Sequence, residues 1–231
     1  MDNKKNIVIT GGNRGIGYGL LKIFSDKHNV IITVRDNKKG ENAIAGLGHL
    51  KNEISYVVMD VNNPDSVIDG ADDIKQRFNS IDLLINNAGI LNREYELPAI
   101  ETSEESILNT FNTNTLGVLR VCKSIVPLMS NSGRIVNISS GMGQLDDMES
   151  GSTAYRISKT ALNALTKILS NELSPLGIKV NTICPGWVQT DMGGANATLT
   201  IEESTTWIVN FALKDDFPTG QFLRHGEIIP W

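Results

Sequence analysis

The chain has only two cysteines, Cys122 and Cys184. That excludes a disulfide framework and predicts two buried, reduced thiols. No segment approaches the roughly 20 uninterrupted apolar residues of a membrane span. Positive charge is in deficit, with 21 Lys and Arg against 26 Asp and Glu and a formal net charge of -5. This balance does not favour a nucleic-acid surface. The three histidines, His28, His49 and His225, are scattered without paired spacing, so they read as surface residues and no metal site is expected. Internal repeats and low-complexity tracts are missing. The opening Met1-Asp2-Asn3-Lys4-Lys5 runs directly into an apolar stretch, which predicts no signal peptide and a cytoplasmic location.

What is present is alternation. Short, mostly apolar runs stand at Ile7-Ile9, Val30-Val34, Ser55-Met59, Leu83-Ile85, Arg134-Ile138, Lys179-Ile183 and Gln221-Leu223. Helical patterns lie between most of them. Apolar strands alternating with helices predict an α/β fold, a Rossmann-type doubly wound parallel sheet covered on both faces, with ligand at the carboxyl ends of the strands. The pattern runs end to end through 231 residues, so one domain, 1–231, is expected. Thr102 and Glu105 have the spacing of a capping box. Pro175 and Gly177 close the helix that starts near Tyr155. The stretch from Asn109 to Gly117 is rich in Asn and Thr, poor residues for a helix interior, so a distortion near Asn114 is expected. Segments 141–151 and 190–213 read as substrate loops, the second forming a flap with the helix of Trp207.

Several motifs carry chemistry. Thr10-Gly11-Gly12-Asn13-Arg14-Gly15-Ile16-Gly17 joins the first strand to a helical segment, the context of a dinucleotide site. Gly11 permits the tight turn, Gly15 lets the backbone approach a pyrophosphate, and Gly17 lets helix and strand pack closely. The helix N-terminus offers free N–H groups and partial positive charge. Tyr155 and Lys159, four residues apart, share one helix face. A nearby ammonium is expected to lower the phenol pKa from its usual value of about 10. Asn86-Asn87-Ala88-Gly89 ends a buried strand, Asn114 lies in an Asn/Thr-rich stretch, and Ser139-Ser140 ends another strand. Neighbours at a strand end face opposite ways, so only one of these serines can point at the site.

In this order, and with Pro185-Gly186 following, the motifs resemble those of the short-chain dehydrogenase/reductase family along essentially the whole chain. Arg35-Asp36, the run Gly186-Trp187-Val188-Gln189-Thr190-Asp191-Met192 and the ending Pro230-Trp231 most resemble its small carbonyl reductases, the sniffer-like and C-factor-like proteins. The resemblance implies NAD(P)-dependent reduction by hydride transfer, with Tyr155 as proton donor, Ser140 holding the carbonyl oxygen, Lys159 also binding the nicotinamide ribose, and Asn114 holding a water linked to Lys159. It implies cofactor contacts from Gly11, Asn13, Arg14, Gly15, Ile16 and Gly17 at the turn. Asp60 and Val61 would flank the adenine, and Asn87, Ala88 and Gly89 would line the centre. Pro185, Gly186, Val188 and Thr190 would follow the sixth strand.

The choice between cofactors turns on the end of the second strand. The family's diagnostic position is Val34, followed by Arg35, and Arg14 stands in the turn. Two guanidinium groups suit a 2′-phosphate and predict NADPH. Asp36 lies about where a carboxylate for the NAD ribose is expected, some 20 residues past the turn, and leaves NAD as the less favoured choice. Apolar candidates for the substrate wall are Leu91, Met142, Leu145, Trp187, Met192 and Trp207, which suit small aldehydes, ketones or quinones. An NAD-dependent alcohol dehydrogenase and a non-catalytic dinucleotide-binding signalling protein are the rival readings. The intact Ser-Tyr-Lys set argues against the latter. The resemblance implies a homodimer or homotetramer through the helices bearing Asn114 and Tyr155.

Overall fold

The computed structural model describes residues 4–48, 52–92 and 94–231. The opening Met1, Asp2 and Asn3, and His49, lie outside them. One eight-stranded sheet organises the chain, in the order β3-β2-β1-β4-β5-β6-β7-β8. Its strands are β1 (Asn6–Thr10), β2 (Asn29–Val34), β3 (Ile54–Val58), β4 (Ile81–Asn86), β5 (Met129–Ile138), β6 (Lys179–Cys184), β7 (Phe222–Arg224) and β8 (Glu227–Ile228). All neighbouring pairs are parallel except β7 with β8. The expected doubly wound α/β sheet is therefore present.

Helices cover both faces: α1 (Gly15–Ser25), α2 (Asn37–Ala45), α3 (Pro64–Arg77), α4 (Glu104–Phe111), α5 (Gly117–Ile125), α6 (Thr153–Glu172) and α7 (Ile201–Leu213). Strand residues alternate between two cores, which is why the strands read as nearly continuous apolar runs. Ile7, Ile9, Ile32 and Ile85 face α1 and α7, while Val8, Ile31, Leu84 and Ile135 face the layer containing α3 and α5. Caps set the helix starts. Asn63 accepts from the N–H groups of Asp65 and Ser66 with Pro64 in the first turn, and Thr200 with Glu203 forms a reciprocal capping box.

Several expectations need correction. The cap of α4 is Ser103, whose Oγ accepts from Ser106 N–H, whereas Thr102 Oγ1 donates to Pro98 O. The Glu94 carboxylate accepts from both Ser103 N–H and Ser103 Oγ–H, and this tertiary partner fixes the register one residue later. His28 is buried, against Phe24, and its Nδ1 accepts from Lys5 N–H. The helix α7 is no part of a flap. It packs lengthwise on α1, where a Cβ at Gly19 would collide with Ile201 and Thr205. Strand β8 was not expected.

The distortion near Asn114 is a π-helical turn, Asn112–Leu116, between α4 and α5. Leu108 on α4 and Ile157 and Ile168 on α6 stand exposed on the helices through which self-association is implied. No helix among the described residues is long and apolar enough to cross a membrane.

Candidate active site

The strand order reverses between β1 and β4, and a cleft of about 340 Å³ opens at the carboxyl ends there. It runs from the glycine-rich turn to Tyr155. Gly11 and Gly15 adopt positive φ, +66° and +53°, which admits few other residues. A Cβ on Gly17 would collide with the Gly11 carbonyl and the Asn87 amide. Arg14 precedes α1 without capping it through its side chain, and the first turn of α1 has no acidic residue. Asn13, Gly15 and Ile16 line the cleft. Bare backbone at a helix N-terminus, beside positions where a Cβ would intrude, fits a dinucleotide pyrophosphate.

Thr10, quoted in the motif but given no role, holds this turn in place. Its Oγ1 accepts from the N–H groups of both Asn87 and Ala88, at 3.0 Å each. The Asn87 side chain donates back to Thr10 O and Gly11 O. The Asn-Asn-Ala-Gly motif is thus bolted to the glycine-rich turn, and its Asn86 donates to Asn137 Oδ1 of the neighbouring strand.

At the end of the cleft beside β2, Val34 and Arg35 line it, but Asp36 does not. Asp36 caps α2, accepting from Lys39 N–H at 3.0 Å, and pairs with Lys39 Nζ at 2.7 Å. These bonds with Lys39 hold its carboxyl below the usual range. Arg14 pairs with Asp191 at 2.6 Å across the mouth, with both side chains more than half exposed. Asp60 accepts from Asn62 N–H, and Val61 lies beside it on the cleft wall.

At the other end the two serines part company. Ser139 is buried, and its Oγ donates to Asn163 Oδ1 at 2.7 Å. Ser140 lines the cleft together with Tyr155, and its Oγ accepts from Met142 N–H. Lys159 is 4% exposed, donates to Ile138 O at 2.8 Å, and lies 5.5 Å from the Tyr155 ring centroid. Burial pushes the Tyr155 phenol up to about 12, against the opposing influence of the Ser140 hydroxyl. Burial likewise pulls the Lys159 ammonium down to about 8. The expected lowering of the phenol pKa by Lys159 therefore does not emerge: desolvation is the largest influence and raises it.

Asn114 is fully buried on the π-helical turn. Its side chain accepts from Ile90 N–H and donates to Ile90 O and Ser158 Oγ. A Cβ on Gly89 would lie 3.2 Å from Asn114 Oδ1 and 3.6 Å from Lys159 Nζ, so these three positions are adjacent. Ser158, which no motif pointed to, links the turn to α6.

Pro185, Gly186, Val188 and Thr190 form the wall beyond β6, with Leu91, Met142, Trp187 and Met192 around the open end. Leu145 is not part of this wall; its N–H donates to Trp231 O, and its side chain is exposed. Trp207 is also excluded, because α7 carries it away to pack against His225.

Comparison with known proteins agrees with this geometry. A family model described as short chain dehydrogenase matches residues 5–199. The chain belongs to the short-chain dehydrogenase family. It is an NAD(P)-dependent oxidoreductase of that family. The chain is 27% identical to the carbonyl reductase 1 (NADPH) of Rattus norvegicus over 97% of both chains. It is 32% identical to a 3-oxoacyl-acyl-carrier-protein reductase of Chlamydia pneumoniae, over 81% of this chain and 75% of the other. Among solved structures, the carbonyl reductase Sniffer of D. melanogaster matches with a TM-score of 0.90 and 30% identity, over 99% of this chain and 100% of that one. The NADPH-bound carbonyl reductase from chicken fatty liver matches with a TM-score of 0.88 and 28% identity at the same coverage.

The packing at the turn makes a direct prediction. Gly17→Ala must move the Gly11 carbonyl or the Asn87 amide. It is expected to cost about 1–3 kcal/mol of stability, as overpacking does, and to weaken dinucleotide binding. Urea unfolding and calorimetric titration with NADP check both.

Proposed function

We propose that the protein is an NADPH-dependent reductase of small aldehydes, ketones or quinones, with Tyr155 as the proton donor. The observation that carries this reading is that Ser140, Tyr155 and a buried Lys159 line the same end of the dinucleotide cleft, with the Lys159 ammonium beside the Tyr155 ring. When bound, the reduced nicotinamide supplies a hydride to the carbonyl carbon. Ser140 donates to the carbonyl oxygen and fixes its position. Tyr155 gives its proton to that oxygen as negative charge gathers there. A phenol held near 12 keeps this proton at neutral pH, which suits reduction better than alcohol oxidation. Lys159 steadies the phenolate left behind and replenishes its proton. Asn114 fixes the backbone beside Lys159 through Ile90 and Ser158.

Choice of NADPH over NADH is supported by where the charges are spent. Asp36 is committed to Lys39 and the start of α2, so it is not free to bind a ribose hydroxyl. Arg35 lines the cleft, and Arg14 can exchange an exposed carboxylate, a weak partner, for a phosphate. The relatives named as NADPH carbonyl reductases point the same way. The apolar open end around Met142, Trp187 and Met192 favours compact carbonyls with an apolar face.

Two outcomes are expected. With benzaldehyde as acceptor, kcat/KM is higher with NADPH than with NADH, and Arg35→Asp erodes or reverses the preference. Charge-assisted bonds of about 1.5–3 kcal/mol each correspond to tens-fold discrimination. Equal use of both cofactors by the parent protein would reject this assignment. Tyr155→Phe is expected to lose about 10²–10⁴ in turnover, the usual value of general acid catalysis, while NADPH affinity changes little. A variant within a few-fold of the parent rate would remove Tyr155 from the role.

A further inference from the structure

A second cavity, of about 530 Å³, adjoins the first and shares Ser140, Met142, Gly186 and Trp187 with it. Past these shared residues it is lined by charged groups. Arg156 is already committed: its Nε donates to Gly151 O and its Nη2 pairs with Glu149 at 3.1 Å. Asp147 stands exposed on the lining and makes no ion pair among the described residues. His225 lies against Trp207, 5.7 Å between ring centroids.

Arg224, at the end of β7, differs from these. It forms no salt bridge, and its Nε is buried without a hydrogen-bond partner among the described residues. Arg224 also lines the second cavity, so a guanidinium with no carboxylate paired to it among the described residues borders that space. The guanidinium lies directly against the backbone after the candidate carbonyl-binding serine. A Cβ on Gly141 would overlap it, with Arg224 Cζ 3.2 Å away and Cys184 Sγ 3.7 Å away. Gly141 N–H donates to that sulfur at 3.1 Å, which pins the backbone in place. The guanidinium thus lies against the residue that follows Ser140, in a cavity that shares Ser140 with the cleft.

We infer that Arg224 receives the carboxylate of a short oxo acid whose ketone lies on Ser140 and Tyr155. This rests on the carbonyl-reductase reading above and narrows its substrate class. The planar guanidinium fork matches a carboxylate, and a 2-oxo acid holds that group one bond from the reacting carbon. An aromatic or branched remainder then meets Met142, Trp187 and Met192. The product is a 2-hydroxy acid: the ketone carbon gains the hydride, its oxygen gains the Tyr155 proton, and the cofactor is oxidised.

The test compares benzoylformate, its methyl ester and benzaldehyde as acceptors with NADPH, in the parent, Arg224→Met and Arg224→Lys proteins. A calorimetric titration of benzoylformate into each protein with NADP accompanies the kinetics. The parent is expected to prefer the acid to its ester. Arg224→Met lowers that acid-to-ester ratio of kcat/KM at least about tenfold, mostly through KM, on the scale of a lost charge-assisted bond. Arg224→Lys restores part of it, and the calorimetric affinity falls in parallel. A parent that prefers the ester, or a ratio and affinity unchanged in Arg224→Met, would overturn the Arg224 assignment while leaving the reductase reading intact. Arg224-dependent binding of benzoylformate, with none of the three carbonyls reduced, would support the subsite and sink the reductase reading.

Discussion

Lys159 is an ammonium buried almost completely in a protein interior, with no carboxylate paired to it among the described residues. That constraint organises the site. An isolated buried charge is expensive, and the usual relief is a partner or a shifted pKa. Here both operate. The Ile138 carbonyl, at the last residue of β5, accepts its hydrogen bond, and its pKa falls to about 8. The Tyr155 ring lies close enough to add a weak attraction between cation and π-face.

The surrounding structure keeps these few partners in position. The π-helical turn places Asn114 beside Lys159, and Asn114 is saturated by Ile90 and Ser158. Gly143 allows its segment to press on the α6 backbone at Lys159, where a Cβ would collide. Thr10 and Asn87 connect the glycine-rich turn to the end of β4. The glycine-rich turn and the Tyr155–Lys159 pair therefore lie at two ends of one cleft along the sheet edge. Ser140, with Met142, Gly186 and Trp187, borders both that cleft and the second cavity that Arg224 lines.

Much of this was legible in the sequence because its signals are local and joint. Apolar runs bounded by turn residues marked seven strands. The Asn/Thr-rich stretch foretold the distortion at Asn114, since those side chains compete with helical backbone bonds. What was missed depended on tertiary partners or lacked a period. Glu94 chose Ser103 over Thr102 as a cap from nine residues away. Strand β8 has two residues after a turn with positive φ at His225 and Gly226, too short to show alternation. Trp207 read as a pocket wall, but Gly19 lets α7 approach α1 and carries the indole elsewhere. Arg224 belongs to no motif; only the order β5-β6-β7 brings it beside Ser140. The pKa of Tyr155 also escaped spacing arguments, because desolvation is a property of the packed site.

The central claim is that a neutral Tyr155 phenol donates the proton while a charged Lys159 stabilises what remains. The pH dependence of kcat/KM for benzaldehyde reduction, at saturating NADPH, tests it most directly. Lys159 is charged below about 8 and loses its proton above that value, whereas the phenol keeps its proton to about 12. The account predicts a plateau at neutral pH and a fall of about tenfold per pH unit above 8, as one ionisation requires. A rate that stays level to pH 10, or climbs with pH, would contradict it.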